Sequence, residues 1–377
     1  MKIVTPEIFI LMSNLSFTSI VQALPSSVPF IGPEALERQT GRSIAVRIGA
    51  NESAFGISPQ AEDAMRASVE DLCMYNDPEN YELKKMLAAC HRVAENQICI
   101  SAGVDDLLGL MVRIVVEIGY PVVTTLGSYP TFNYHVNGFG GRLEEVPYVK
   151  DRVDLQGLLD RVISTGARLV YLANPDNPMG TWHRGDEIQS FVNALPENAL
   201  AIVDEAYSDF APLEASWPME EVNPRVVRMR TFSKAHGLAG ARIGYAIAHR
   251  EVISKLDKVR NHFGVNRVAQ AGALASLKDR TFISEVVKKV ISGREDYVRF
   301  AYDLGLQSVL SATNFVCFDL KDSNRARTVL EKLLLRGVFV RMPSQPPQSR
   351  CIRVTVGNEE QRELFKKAFQ DVLEEIT

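Results

Sequence analysis

Short apolar runs alternate with longer amphipathic stretches along most of this 377-residue chain, beginning near residue 46. A short run that is apolar at nearly every position and rich in Val, Ile and Leu is typical of a strand buried on both faces. Several such runs precede residue 250, and each of them predicts a strand. They cover residues 97–101, 122–125, 169–173, 200–204, 226–231 and 243–248.

Helical patterns separate several of these strands. Residues 105–117, 154–165 and 184–194 place apolar side chains at helical spacing. Strands that alternate with helices pair in parallel, and the helices then cover both faces of the sheet. This part of the chain is therefore predicted to be an α/β domain that binds its ligands at the carboxyl ends of the strands.

The second part of the chain has a different order of elements. These are a helical pattern at about 250–305, a strand at 314–319, a helix through 335, strands at 338–341 and 351–356, and a helix from 359. Such an order predicts a smaller α+β unit. We therefore divide the chain into an N-terminal arm (1–45), a large domain (46–255) and a small C-terminal domain (256–377).

Composition and charge narrow the possible functions. Apolar residues make up 46% and charged residues 23% of the chain, as in ordinary globular proteins, and the formal net charge is −4. A slightly acidic chain without a basic patch is not expected to bind nucleic acid or an acidic membrane surface. No apolar run reaches the length of a membrane span.

The cysteines and histidines indicate a reduced protein without a metal site. The five cysteines are odd in number, and neither they nor the six histidines show zinc-site spacing, so we expect reduced thiols in the cytoplasm.

Residues 8–12 and 17–24 are apolar, and a secretory signal is the alternative, but Glu7 and Asn14 interrupt the stretch. Whether the chain starts at Met1 or Met12 stays open.

A lysine lies in the most informative segment, Arg-Thr-Phe-Ser-Lys-Ala-His-Gly-Leu-Ala-Gly-Ala-Arg-Ile-Gly at 230–244. Ser233 and Lys234 follow a predicted strand, and Arg242 opens the next one. A lysine in a loop is often only a solvated surface charge. Between two buried strands, however, its pKa would fall well below the usual value of about 10.4, and the neutral amine could attack an aldehyde.

Two more strand ends carry polar side chains. Asp204 could cap a turn, or it could keep a pyridine nitrogen protonated and make the ring an electron sink; Tyr207 follows it. Asn177, in Asn-Pro-Asp-Asn-Pro-Met-Gly, could belong to an ordinary turn or donate a hydrogen bond to a phenolic oxygen of a cofactor. Chance gives one such residue easily, but it rarely gives Asn177, Asp204, Lys234 and Arg242 in order at successive strands.

This set of residues resembles the fold-type I aminotransferases of class I and II, which depend on pyridoxal 5′-phosphate (PLP). The closest resemblance is to the histidinol-phosphate aminotransferase family, and it runs from about Arg47 to the C-terminus. It implies that Lys234 forms a Schiff base with PLP and moves a proton between substrate Cα and cofactor. The other implied cofactor contacts are Asp204 with the pyridine nitrogen, Asn177 and Tyr207 with O3′, and Ser233 and Arg242 with the phosphate.

Three further positions fit the same resemblance. The segment Ser-Ala-Gly-Val-Asp-Asp joins a predicted strand to a helix, so the backbone N–H groups of Val104 and Asp105 form an anion site that resembles the family's second phosphate-binding element. Tyr129 matches the aromatic residue that stacks on the pyridine ring. Tyr75 resembles the tyrosine that reaches the phosphate of the partner subunit's cofactor, which implies a homodimer with shared active sites.

The substrate-binding residues are also implied by resemblance. Arg353 would clamp the α-carboxylate through a two-pronged hydrogen-bonded pair. Arg341 lies where the family binds the distal phosphate of the substrate, or else it is a surface ion-pair partner, and both interpretations stay open. Asn51 matches the first residue of an Asn-Glu pair that borders the substrate.

Some positions depart from the family pattern. Met179 stands where the family usually has Thr, Asp176 replaces a frequent Asn, and the stretch at 30–34 is also unlike authentic histidine-biosynthesis members. These departures affect the rim of the pocket and leave the PLP-binding residues in place. The identity of the amino donor is therefore the open part of the assignment.

The sequence predicts transfer of an amino group between an amino acid or amine, either histidinol-phosphate-like or aromatic, and a 2-oxo acid. A decarboxylase of the threonine-phosphate decarboxylase type is the alternative, because it would use the same fold and cofactor. A non-catalytic regulatory module is disfavoured, since the chain retains Lys234 and lacks a basic patch. A nicotinamide-dependent oxidoreductase would need a G-x-G-x-x-G motif after its first strand.

Overall fold

The structure is a computed structural model that describes residues 16–25, 31–218 and 222–376. The apolar residues 8–12 and the alternative starts Met1 and Met12 lie outside the described residues, and the predicted arm is described only in part. None of the described helices is long and apolar enough to cross a membrane.

The elements follow one another along the chain largely in the predicted order. The strands are β1 (Val46–Arg47), β2 (Ile98–Ser101), β3 (Pro121–Thr125), β4 (Arg142–Val146), β5 (Leu169–Ala173), β6 (Leu200–Asp204), β7 (Val226–Thr231), β8 (Gly244–Ala248), β9 (Gln307–Val309), β10 (Phe315–Asp319), β11 (Val338–Phe339) and β12 (Cys351–Thr355). The helices are α1 (Ser19–Ala23), α2 (Pro33–Thr40), α3 (Pro59–Ser68), α4 (Tyr81–His91), α5 (Val104–Val115), α6 (Pro130–Gly138), α7 (Leu155–Thr165), α8 (Gly185–Ala194), α9 (Arg250–Asp257), α10 (Arg267–Lys278), α11 (Arg280–Asp303), α12 (Ser323–Leu335) and α13 (Glu359–Ile376).

A seven-stranded sheet forms the larger layer, in the order β2-β8-β7-β6-β5-β3-β4. Strands β4, β3, β5, β6 and β7 pair in parallel, whereas β8 pairs antiparallel with both β7 and β2. The parallel register sets Ala173 opposite Asp204 and Asp204 opposite Met229. The polar residues that follow β5, β6 and β7 therefore meet at one edge of the sheet, which confirms the predicted mostly parallel α/β architecture.

The C-terminal unit packs around a second core. Its antiparallel sheet has the order β12-β10-β9, and helices α11, α12 and α13 cover it. Aromatic side chains fill the space between them, with Phe318 at a centroid distance of 5.7 Å from Tyr297 and 5.8 Å from Phe365. Complete burial of such rings stabilises the fold by roughly 1.5–3 kcal/mol each.

The two units are joined at more than one place. Strand β1 pairs in parallel with β11 of the C-terminal unit. Helix α10 packs against α3 and α4, and its residues Ala269 and Ala273 belong to the core that also contains Leu87 and Tyr245 of the larger unit. The domain boundaries at 45 and 255 stay a prediction.

The differences from the predicted elements have local causes. Strand β4 was not predicted, because Arg142, Glu144 and Glu145 interrupt its apolar pattern at the edge of the sheet. The pattern at 250–305 forms three helices, since the side chains of Asn266 and Asp279 accept backbone N–H bonds and start α10 and α11.

Two other predicted strand boundaries shift. Arg242 does not open β8, which begins at Gly244; its own backbone is left-handed, with φ +59°. Strand β11 ends at Phe339 instead of residue 341, although Arg341 still forms an isolated bridge with Arg353.

The loop between β7 and β8 depends on a glycine. Gly237 has φ +72°, and a Cβ at this position would lie 2.1 Å from the carbonyl oxygen of Gly56. Its N–H donates to the carbonyl of Lys234 over 3.1 Å. Both the backbone angle and the close approach of residue 56 therefore favour glycine in this loop.

We predict that Gly237→Ala will lower the free energy of unfolding by about 2–5 kcal/mol, because it adds a steric clash to left-handed backbone strain. The matched control is Gly41→Ala, where φ is +67° and a Cβ would meet no atom of the described residues within 4 Å. The control should lose only about 1–2 kcal/mol. Urea unfolding of both variants measures the difference, and equal losses would contradict the proposed clash.

Candidate active site

A cavity of about 540 Å³ lies at the carboxyl edge of β5, β6 and β7 and reaches the C-terminal unit. The predicted site residues that line it are Asn51, Val104, Asp105, Tyr129, Asn177, Asp204, Tyr207, Ser233, Lys234, Arg242, Arg341 and Arg353. Residues from strands far apart in the chain thus meet in one space.

Lys234 lies in the loop after β7, where its Nζ donates to the carbonyl oxygen of Asn51 over 3.1 Å. Nζ also lies 5.5 Å from the ring centroid of Tyr207. Burial lowers the pKa of Lys234 from 10.5 to about 8, and the nearby positive charge of Arg353 acts in the same direction. A substantial fraction of this amine is therefore neutral near physiological pH.

Asp204 ends β6 and is buried at 5% exposure. One carboxylate oxygen accepts the backbone N–H of Ala206 over 3.0 Å, and the other accepts the hydroxyl of Tyr171 over 2.9 Å. Burial raises the pKa of Asp204 to about 6, while these two donors act to lower it. At neutral pH the group is still mostly ionised, and it can face a protonated ring nitrogen.

Asn51 connects the groups around the lysine. Its side-chain amide donates to the hydroxyl of Tyr207 over 2.9 Å, and its Oδ1 accepts the hydroxyl of Thr355 over 3.2 Å. Burial raises the pKa of Tyr207 to about 12, so Tyr207 stays a neutral phenol. The sequence predicted Asn51 at the rim of the substrate site; in the structure it also contacts Lys234 and Tyr207.

The N-terminus of α5 forms one end of the cavity. Gly103, directly before the helix, has φ +98°, and a Cβ there would lie 2.8 Å from Nη2 of Arg242. The hydroxyl of Tyr129 donates to Asp105 over 2.7 Å, and the guanidinium of Arg242 lies 3.5 Å from the same carboxylate. Helix N–H groups beside an arginine make this end suitable for a phosphate.

Two neighbouring arginines also line the cavity. Arg353 donates through Nη1 to Asn177 over 2.5 Å and through Nη2 to the carbonyl of Gly49 over 3.2 Å. Its buried Nε has no hydrogen-bond partner among the described residues. Arg341 is partly buried and donates to the carbonyl of Ile31 over 2.8 Å. Burial and the charge of Arg353 both lower the pKa of Arg341.

Tyr75 lies outside this cavity. Its side chain is 82% exposed, and its ring centroid is 4.9 Å from that of Phe263. The backbone carbonyl of Tyr75 accepts a hydrogen bond from Arg267 over 2.7 Å. Of the predicted site residues, it is therefore the one that the fold does not bring to this cavity.

Sequence reasoning missed several buried partners of the site. Tyr171 lies on β5 two residues before Ala173, which pairs with Asp204, so the strand period puts Tyr171 and Asp204 on one face. That period could have revealed the contact. Glu205, which accepts from Arg228 and Arg230 over 2.8 Å each, gave no comparable signal.

The described residues include no group of three or more His, Cys, Asp or Glu side chains that could hold a metal ion. The cavity instead offers an amine of lowered pKa, a buried carboxylate and a helix N-terminus beside an arginine, which fit the aldehyde, ring nitrogen and phosphate of PLP. A site of this kind at the edge of a mostly parallel sheet, with a smaller α+β unit beside it, defines a fold-type I PLP-dependent enzyme.

Comparison with known proteins identifies the family. The model of the family "Aminotransferase class I and II" matches residues 43–369, and the chain belongs to this family. The predicted assignment is confirmed: the chain is a PLP-dependent aminotransferase.

The similar proteins cover nearly the whole chain. A histidinol-phosphate aminotransferase of Sinorhizobium meliloti, whose crystal structure is a complex with PLP, is 48% identical and superposes with a TM-score of 0.94 over 97% of this chain and 100% of that chain. Histidinol-phosphate aminotransferase 1 of Nitrosococcus oceani is 34% identical and covers 94% of this chain and 96% of its own. That of Bacillus velezensis is 33% identical and covers 90% and 95%.

The predicted alternative has weaker support. The L-threonine-O-3-phosphate decarboxylase of Porphyromonas gingivalis superposes with a TM-score of 0.74, but it is only 20% identical over 87% of this chain and 99% of that chain. A likeness at that level shows the fold alone.

The lowered pKa of Lys234 generates a prediction for the protein without cofactor. Acetylation by limiting acetic anhydride, followed by mass spectrometry, should label Lys234 with a midpoint near pH 8, because the reagent attacks only the neutral amine. The exposed Lys321 serves as the reference in the same digest. A midpoint of Lys234 near the ordinary value of 10.5 would contradict the lowered pKa.

Proposed function

We propose that this aminotransferase moves an amino group from histidinol phosphate, or a closely related aromatic donor, to a 2-oxo acid. The observation that carries the proposal is that Arg353 and Arg341 are bridge partners and line the same cavity as Lys234. The two substrates carry different anions, a phosphate on the donor and a carboxylate on the acceptor. The names of the 34–48% identical relatives support the same donor.

Several residues would hold PLP. Asp204 would pair with the ring nitrogen, and Asn177 and Tyr207 with the ring oxygen O3′. The phosphate would bind at the N-terminus of α5 beside Arg242, and Tyr129 would stack on the ring. The residues at the phosphate are Val104, Asp105, Ser233 and Arg242. Bound PLP supplies a ring that withdraws electrons from the substrate carbon.

Lys234 would carry the proton. As a neutral amine, Nζ can take a proton from substrate Cα and later return one, and its pKa of about 8 suits both directions. The carbonyl of Asn51, which accepts a hydrogen bond from Nζ over 3.1 Å, supports this role because it orients the amine. Asn51 also borders the substrate in this proposal.

The two arginines would distinguish the substrate anions. Arg353 would clamp the α-carboxylate of the amino acid or 2-oxo acid. The buried Nε of Arg353 has no hydrogen-bond partner among the described residues, which supports a further acceptor at this guanidinium. Arg341 would hold the distal phosphate. Partial burial of Arg341 strengthens any ion pair that it forms there.

We also propose a homodimer. Exposed apolar side chains cluster in sequence around Tyr75, with Val69 53%, Leu72 53% and Met74 55% exposed, and Phe263 packs on the Tyr75 ring. Such a cluster supports a protein interface. Tyr75 would then reach the phosphate of the partner's cofactor.

The cytoplasm is the proposed location, and the free cysteines, of which Cys73 and Cys90 are exposed, support it.

An absorbance titration tests the reaction. The purified enzyme should show a visible band from PLP bound to Lys234, histidinol phosphate should remove the band, and a 2-oxo acid should restore it. Lys234→Ala is the control and should lack both the band and turnover. Release of carbon dioxide from an amino acid, with the band kept after turnover, would instead identify a decarboxylase.

The role of Arg341 can be tested separately. Arg341→Gln should raise KM for histidinol phosphate about 10- to 100-fold, as expected for a lost hydrogen bond to a charged group, and should leave KM for histidinol unchanged. Arg327→Gln, an exposed arginine on α12, is the matched control. An equal rise for the two donors would show that Arg341 does not recognise the phosphate.

A further inference from the structure

Tyr171 is a completely buried tyrosine beside the active site that the proposed mechanism does not use. Its exposure is 0%, and its ring stacks on Phe132 with a centroid distance of 4.6 Å and an interplanar angle of 18°. Its hydroxyl donates to Oδ2 of Asp204 over 2.9 Å. The ring therefore belongs to the core, whereas the hydroxyl reaches a carboxylate that lines the cavity.

The geometry of the two strands fixes this contact. β5 and β6 run in parallel with Ala173 opposite Asp204, so Tyr171 and Asp204 project from the same face of the sheet. The stack on Phe132 holds the phenol in one orientation. Its distance from Asp204 Oδ2 is thus set by the sheet and by helix α6, and not by a flexible loop.

Tyr171 is one of two donors that Asp204 has among the described residues. The other is the backbone N–H of Ala206, which bonds Oδ1. Burial strongly raises the pKa of Tyr171, so the phenol keeps its proton and can only donate to a carboxylate. A hydrogen bond of this kind favours the ionised form of Asp204.

We propose that Tyr171 is a positioning residue, which holds Asp204 ionised and turned toward the ring nitrogen of PLP. The inference rests on the proposed role of Asp204. Without the hydroxyl, Oδ2 would lose its side-chain donor in a site of low polarity, and the carboxylate would hold its proton more readily. The ring nitrogen would then lose its proton at lower pH.

The alternative is that Tyr171 only fills the core. Tyr171→Phe separates the two roles, because it keeps the ring and its stack on Phe132 and removes only the hydroxyl. Tyr245→Phe is the matched control. Tyr245 is a buried tyrosine of the same sheet, 6% exposed, whose hydroxyl lies 2.8 Å from His91 Nε2.

The main measurement is the ¹⁵N chemical shift of the pyridine nitrogen of labelled PLP bound to each variant, followed with pH. In Tyr171→Phe the midpoint for loss of the ring proton should fall by about one pH unit or more. The value of kcat should fall roughly tenfold with little change in KM. Tyr245→Phe should match the parent enzyme in each measurement.

Two comparisons make the outcome decisive. With a PLP analogue that carries carbon in place of the ring nitrogen, the rate difference between the parent and Tyr171→Phe should disappear. A loss of equal size with PLP and with the analogue, or an unchanged ¹⁵N midpoint, would overturn the inference. If Asp204→Asn also leaves the ¹⁵N midpoint unchanged, then the proposed role of Asp204 itself is wrong.

Discussion

Burial of charge in one cavity is the constraint on which the site depends. Desolvation acts on Lys234 and Asp204 in opposite directions, since it lowers the pKa of the amine to about 8 and raises that of the carboxylate to about 6. Both groups therefore change protonation state close to neutral pH. On an exposed surface both side chains would stay fully ionised at neutral pH. The lysine could then not attack an aldehyde, and the aspartate could not share a proton.

The cavity exists because the fold joins the two units through buried polar contacts. The backbone carbonyl oxygen of Asn51 accepts hydrogen bonds from Nζ of Lys234 in the β7–β8 loop and from the side-chain amide of Asn314 in the C-terminal unit, over 3.1 Å in each case. Its backbone N–H donates to Thr355 on β12 over 3.0 Å. A change in the relative position of the units would thus act directly on the hydrogen bond that orients the lysine.

Much of the large sheet and most of the cavity lining could be predicted from the sequence. Buried parallel strands are nearly continuous apolar runs, so the polar residue after each run marks the edge of the sheet. Asp204 and Lys234 were identified in this way. Edge strand β4 escaped prediction, because Arg142 and Glu144 replace the apolar residues of a buried strand.

Other features depend on tertiary contacts that a single sequence does not encode locally. The Asn51–Tyr207 hydrogen bond joins residues 156 positions apart, and the partners of Glu205 come from the neighbouring strand. The left-handed backbone of Arg242 is unusual for a residue with a side chain, and the motif alone predicted a strand there. Propensity and periodicity carry no information about contacts between residues that are far apart in the sequence.

The buried carboxylates of this sheet edge are stabilised by two different kinds of donor. Asp204 and Asp176 each accept a tyrosine hydroxyl, from Tyr171 and Tyr148, and burial still raises their pKa values, to about 6 and about 7. Burial also acts to raise the pKa of Glu205, but Arg228 and Arg230 outweigh it, and the pKa of Glu205 is lowered.

A phenol gives one neutral hydrogen bond, whereas a guanidinium adds a full charge. The choice of partner therefore separates a carboxylate that can respond to a ligand from one that stays ionised. Asp204, which lines the cavity, has the weaker donor, so a cationic ring nitrogen would still gain from pairing with it. Glu205, the next residue, is already neutralised by its two arginines and contributes to the fold instead.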